Sequence, residues 1–168
     1  WDTPQNVTVT GADDGIIDGT QTSTITVTVV DAITDDDFDA VADQTVSVTT
    51  TDDDVAGFTI AETDGSTSVT EAGSTDLFTV VLTGRPITDV EFSISSSDST
   101  ETSVTSSLTF TAENWNTPQN VTVTGLDDDI IDGTQTSTIT VSIDDTNSDN
   151  SFDPVSYTHL TLPTSFEV

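Results

Sequence analysis

LFTVVLTGRPITDVEFSIS, residues 77–95, reads as two strands joined by a turn. Phe78, Val80 and Leu82 fall on every second position, as do Val90, Phe92 and Ile94. A period of two places each row on one face of a pleated strand. The segment between them carries Gly84 and Asp89, which suit a turn. Working outward, the same alternation recurs at Phe58/Ile60, Leu108/Phe110, Val121/Val123 and Ile139/Val141/Ile143. Before residue 55 it recurs at Val7/Val9, Ile25/Val27/Val29 and Val46/Val48. Many short strands separated by Gly, Asp, Ser and Asn predict an all-β antiparallel sandwich with Greek-key connections. No stretch has a helical period.

Charge bounds the partners. The 168 residues include 31 acids against one Arg and no Lys, a formal charge of -30. Such a composition favours disorder unless the apolar residues are patterned, and here they alternate in clean runs. Nucleic acid is excluded as a partner, because Arg85 alone cannot displace counterions from phosphates. An anionic membrane would repel the same surface, and no apolar stretch is long enough to span a bilayer. Cations are the natural partners of so many carboxylates. Self-repulsion on this scale also predicts that salt or bound metal favours the folded state.

WDTPQNVTVTG at residues 1–11 returns as WNTPQNVTVTG at 115–125, so the period is 115 − 1 = 114 residues. Over residues 1–31 against 115–145, 25 of 31 positions are identical. That is the signature of tandem duplication, at a period suited to a sandwich module rather than a solenoid turn. In this reading residues 1–54 are the C-terminal half of one module, and residues 55–155 are a second, nearly complete one. Pro4 and Pro118 are expected to open an edge strand. Gly11 and Gly125 are expected to close it in a turn of positive φ. The repeat stops at Val155. A permitted back-translation of 155–164 reads like a transposon-end sequencing adapter, so residues 156–168 are expected to be a non-native tail. Thr45–Thr51 would then be free to swap into the second module as its last strand.

Glu71-Ala-Gly73, the FTVVL strand, RPITDVEFSISSSD, LTFTAENWNTPQNVTVTG, DDDIIDGTQ and DDDVAGF occur here in order. Together they resemble the Calx-beta family, in the tandem form found in large bacterial surface and adhesin-type proteins. The resemblance covers nearly all of the chain before Val155. It implies an immunoglobulin-like sandwich with calcium held by loops at one end. Carried over residue by residue, it implies ligands at Glu71, Asp127, Asp128 and Asp132, with Asp98 in a further ligand loop. In the first copy it implies Asp13, Asp14 and Asp18, with Asp52, Asp53 and Asp54 as the acidic run that ends a module. One family acid falls on neutral Gln135, which makes the site leaner.

Calcium takes six to eight hard oxygens at about 2.3–2.6 Å, and short Asp side chains on loops supply carboxylates beside backbone carbonyls. The alternative for such runs is a merely solvated surface. Catalysis has little footing. His159 is the sole His and Cys is absent, which excludes a Ser or Cys triad and a His-rich zinc site. Trp1 and Trp115 are expected in packing rather than on a sugar. The function expected is a calcium-binding repeat of a secreted or cell-surface protein, partnered by neighbouring repeats of its own chain. The alternatives are an adhesive module for a glycan or protein ligand and an inert spacer.

Overall fold

The computed structural model describes residues 2–131, 133–153 and 159–164. Among the described residues ten strands run in chain order: β1 Gln21–Val27, β2 Gln44–Thr50, β3 Phe58–Glu62, β4 Thr75–Leu82 and β5 Val90–Ser96, then β6 Thr102–Val104, β7 Ser107–Phe110, β8 Gln119–Gly125, β9 Gln135–Ile143 and β10 His159–Thr164. Single turns of 3-10 helix are the only helical segments among the described residues. None is long and apolar enough to cross a membrane. The chain divides into two compact units, one of residues 1–14 and 18–53, the other of residues 15–17 and 54–168. Gly15–Ile17 thus belongs with the second unit, although the sequence reading placed it in the first module.

The second unit is an antiparallel β-sandwich. One sheet has the order β3-β4-β8-β6 and the other β10-β9-β5-β7. In immunoglobulin lettering these are A-B-E-D and G-F-C, with β7 added beside C. A single buried cluster draws on both sheets, with Phe78, Val80, Val121 and Val123 from the first and Phe92, Phe110, Ile139 and Val141 from the second. Phe92 meets Phe58 edge-on across the core at 5.0 Å and packs against Phe110 at 5.7 Å. Each such side chain, fully buried, contributes about 1.5–3 kcal/mol before its ordering entropy is counted. The alternation seen in the sequence therefore marks the inward faces of β4, β5, β7, β8 and β9.

The first unit is smaller. Its β1 and β2 form an antiparallel hairpin in which Gln21 faces Thr50 and Ile25 faces Val46. In the second unit β9 and β10 pair so that Gln135 faces Thr164 and Ile139 faces Leu160. Each partner in the second hairpin lies one period beyond its counterpart in the first.

Two expectations need correction. Residues 4–12 form no strand, and Val7 is 78% exposed, although its counterpart Val121 is buried in β8. The cause is pairing. β8 lies between β4 and β6, and residues 2–53 contain no counterpart of either. β8 is accordingly interior and not an edge strand. Pro118 is tolerated because it stands just before the first residue of the ladder. Of the two arrangements left open for Thr45–Thr51, the described residues show pairing within the first unit: β2 pairs with β1, and β9 takes β10 at the sheet edge, where Pro163 lies opposite Thr136.

Candidate functional site

Three acidic loops meet at one end of the sandwich because the strand registers bring them there. Thr75 at the start of β4 faces Thr124 near the end of β8. Thr102 at the start of β6 faces Gly125. Ser96 at the end of β5 faces Ile139 in β9. Hence the loops before β4, between β5 and β6, and after β8 share one end.

The first of these loops is a tight turn. Gly73 donates its N–H to Thr70 O at 3.1 Å and has φ 81°, a conformation that favours glycine. Ser74 Oγ accepts the Thr70 N–H at 2.7 Å. This places Glu71 at the apex, half-buried. Gly125 locks the turn against β8 and donates to Ser74 O at 3.0 Å. A Cβ on Gly125 would come within 2.1 Å of Thr70 O. Close approach, not positive φ, is the reason for glycine here, and Gly11 has no positive φ either.

In the second loop, the Asp98 carboxylate accepts from Thr100 N at 3.0 Å and Thr100 Oγ1 at 2.6 Å. Those two Thr100 hydrogen bonds hold its pKa below the ordinary carboxylate value. Its carbonyl accepts from Thr102 N at 3.2 Å, which closes the turn. Glu101, three residues on, is only 5% exposed. Its carbonyl takes the N–H of Leu126 at 2.9 Å and so ties this loop to the third. There Asp127 is exposed, and half-buried Asp128 accepts the Ile130 N–H at 2.7 Å. Asp132 lies outside the described residues.

The structure thus assembles Glu71, Asp98, Asp127 and Asp128 on neighbouring loops and adds Glu101, which the sequence reading missed. A carboxylate inside the short TETSV run, just before a three-residue strand, gives no periodic signal. Two hydroxyls at this end, Thr67 Oγ1 and Ser137 Oγ, are buried with no hydrogen-bond partner among the described residues. The donors are all oxygen, which is the chemistry of a hard cation. Their spacing is wide, since no three Asp, Glu or His side chains among the described residues form a group that could hold a metal ion.

The first-copy acids are arranged differently. Asp52 Oδ2 accepts the N–H groups of Asp18 at 3.1 Å and Gly19 at 2.7 Å, so this carboxylate fixes the turn before β1. Asp13, Asp14 and Asp53 are exposed. Asp54 opens the second unit, so the triple Asp is divided between units.

The opposite end of the sandwich carries a second polar centre that no motif announced. Asp149 Oδ2 accepts from Ile87 N and Thr88 N, each at 2.8 Å, and Oδ1 accepts from Ser151 N at 2.9 Å. Burial pushes the Asp149 carboxyl up, but these hydrogen bonds outweigh it and hold the group below its ordinary value. It is 5% exposed and pins the β4–β5 loop to the segment after β9.

The fold and its site define an immunoglobulin-like β-sandwich with acidic loops gathered at one end. No protein-family model and no curated protein matches the chain. Among solved structures it is similar to the apo-form Calx CBD1 domain, with 15% identity, a TM-score of 0.46, and coverage of 66% of this chain and 98% of that one. It is also similar to SSP-19, an MSP-domain-like protein of Caenorhabditis elegans, with 17% identity, a TM-score of 0.40 and coverage of 61% and 94%. Domains 4 and 5 of the S-layer protein SbsC give 16% identity, a TM-score of 0.40 and coverage of 75% and 63%.

Proposed function

We propose that this chain is a piece of a tandem array of non-enzymatic β-sandwich repeats whose acidic end loops bind calcium and stiffen the array, in a secreted or cell-surface bacterial protein. The observation that carries the reading is the meeting of three acidic loops at one end around the buried Glu101. Glu71, Asp98, Glu101, Asp127 and Asp128 are the candidate ligands, with Asp132 beside them by sequence, and their loops would have to draw together before three of them reached one ion. Bound calcium would supply positive charge where several carboxylates repel one another, so the loops would close only when it is present. The 114-residue duplication and the matching registers of the two hairpins support the array. The first-copy acids Asp13, Asp14, Asp18, Asp52, Asp53 and Asp54 would serve the preceding repeat.

Calorimetric titration of the full chain tests the site. Calcium binding is expected at roughly 10⁻⁴–10⁻³ M, the range of extracellular modules. Glu101→Gln should weaken it by about tenfold or more, as loss of one charged ligand does. Equal heats with calcium and magnesium, unchanged in the variant, would leave the acids a solvated surface.

A further inference from the structure

The tripeptide Gly15-Ile16-Ile17 is built into the second unit far from the acidic loops. Ile16 forms a parallel bridge with Arg85. Arg85 donates its N–H to Gly15 O at 2.7 Å, and Ile17 donates to Arg85 O at 3.2 Å. Ser151 Oγ donates to Ile17 O at 3.4 Å. The fit is close, since a Cβ on Gly84 would lie 2.6 Å from Ile17 Cδ1. Trp115 covers Gly15, and Ile17 and Trp115 both pack against the core cluster. Gly84, Arg85, Trp115 and Ser151 therefore form a seat for a two-isoleucine segment at the end opposite the acidic loops.

One period on, the same segment recurs with both isoleucines exposed. Asp128-Asp129-Ile130-Ile131 repeats Asp14-Gly15-Ile16-Ile17 with a single change. Ile130 is 63% exposed and Ile131 97% exposed, an unusual placement for adjacent large aliphatic residues. The change at Gly15 is compatible with the seat, because a Cβ there would meet Trp115 Cζ2 at 3.6 Å, ordinary contact. The charge is complementary as well. The seat holds Arg85, the one Arg in a sequence with no Lys, and the isoleucines are flanked by acids.

We infer that Ile130–Ile131 is a docking strand whose partner is the Gly84–Arg85 seat of the next copy of this module. Strand and seat lie at opposite ends of one sandwich, so the contact is head-to-tail and propagates as an open array instead of closing into a dimer. The inference rests on the tandem-array reading and deepens it. The docking strand continues directly from Asp127 and Asp128, so one loop would carry both the calcium ligands and the joint.

The test inserts a second copy of residues 40–153 in phase after Asp153 of the full chain, and follows amide hydrogen exchange. In the unextended chain, the Ile17 amide should be protected and the Ile131 amide should exchange quickly. In the extended chain, Ile131 should slow by about tenfold or more, because it would donate to Arg85 O of the added copy. Gly84→Ala in the added copy alone should restore fast exchange at Ile131. Fast exchange at Ile131 in the extended chain, with the added copy's Val80 and Val121 amides protected, would overturn the docking inference and leave the calcium reading standing. An added copy whose Val80 and Val121 amides are unprotected would overturn the array reading itself.

Discussion

Residues 1–31 and 115–145 are nearly the same text in two surroundings, and the VTVTG phrase at 7–11 folds differently from its copy at 121–125. Val121 and Val123 are fully buried in an interior strand, whereas Val7 and Val9 are exposed and in no strand. Further along the repeat, Phe152 is fully buried and Phe38 is 55% exposed. The Asp149 carboxylate holds N–H groups of three residues, whereas the carboxylate of Asp35, its counterpart, caps Asp37 N at 3.1 Å. What survives in both places is local. The hairpin register and the Asp-capped 3-10 turn at 36–38 and 150–152 recur unchanged. Strand formation at the VTVTG phrase is therefore decided by neighbouring strands and not by its own residues.

Paired substitutions sharpen this contrast. The largest effect is expected at Phe152→Ala, which empties a fully buried site and should cost about 3–5 kcal/mol in urea denaturation. Phe38→Ala should stay within about 0.5 kcal/mol, as exposed positions do. Equal losses would break the comparison.

Next comes Asp149→Ala. It strands the N–H groups of Ile87, Thr88 and Ser151 and should cost about 3 kcal/mol, against about 0.5–1 kcal/mol for the single cap lost in Asp35→Ala. The pH dependence has a definite sign. A folded-state pKa below the reference value of 3.8 means that Asp149 stabilises above that pH and loses its contribution as the pH falls through the lowered folded value. Acid titration of stability should therefore be shallower in Asp149→Asn than in the unaltered chain.

A smaller difference should separate Gly125→Ala from Gly11→Ala. The first drives a methyl into Thr70 O and should cost about 1–3 kcal/mol, and by displacing Glu71 it should weaken the proposed calcium site. The second meets only Thr50 Cγ2 at 3.5 Å and should change stability by no more than about 0.5 kcal/mol.

The sandwich could be read from the sequence because Phe78, Val80, Phe92 and Ile139 obey a period of two and bury accordingly. The same rule misled at Val7 and Val9, since periodicity reports which face would be buried and not whether a partner strand exists. β6 went unnoticed because three residues are too few to show a period. Asp149 and Glu101 were invisible for another reason. Asp149 gains its role from N–H groups 61 and 62 residues away in the chain, a relation that only the fold creates. Of the acidic loops, Glu71, Asp127 and Asp128 were found through the family pattern they resemble. Gly15–Ile17, which the repeat places in the first module, packs into the second unit because its seat lies far along the chain.

Thermal unfolding of the full chain in calcium, magnesium and matched sodium chloride, each against chelator, tests the calcium reading most directly. Millimolar calcium should raise Tm by several degrees beyond magnesium at equal ionic strength, since binding only to the folded state stabilises it. The excess should vanish in the Glu101→Gln variant. An equal rise in all three salts would mean that charge screening alone stabilises the chain, and the proposed calcium site would be wrong.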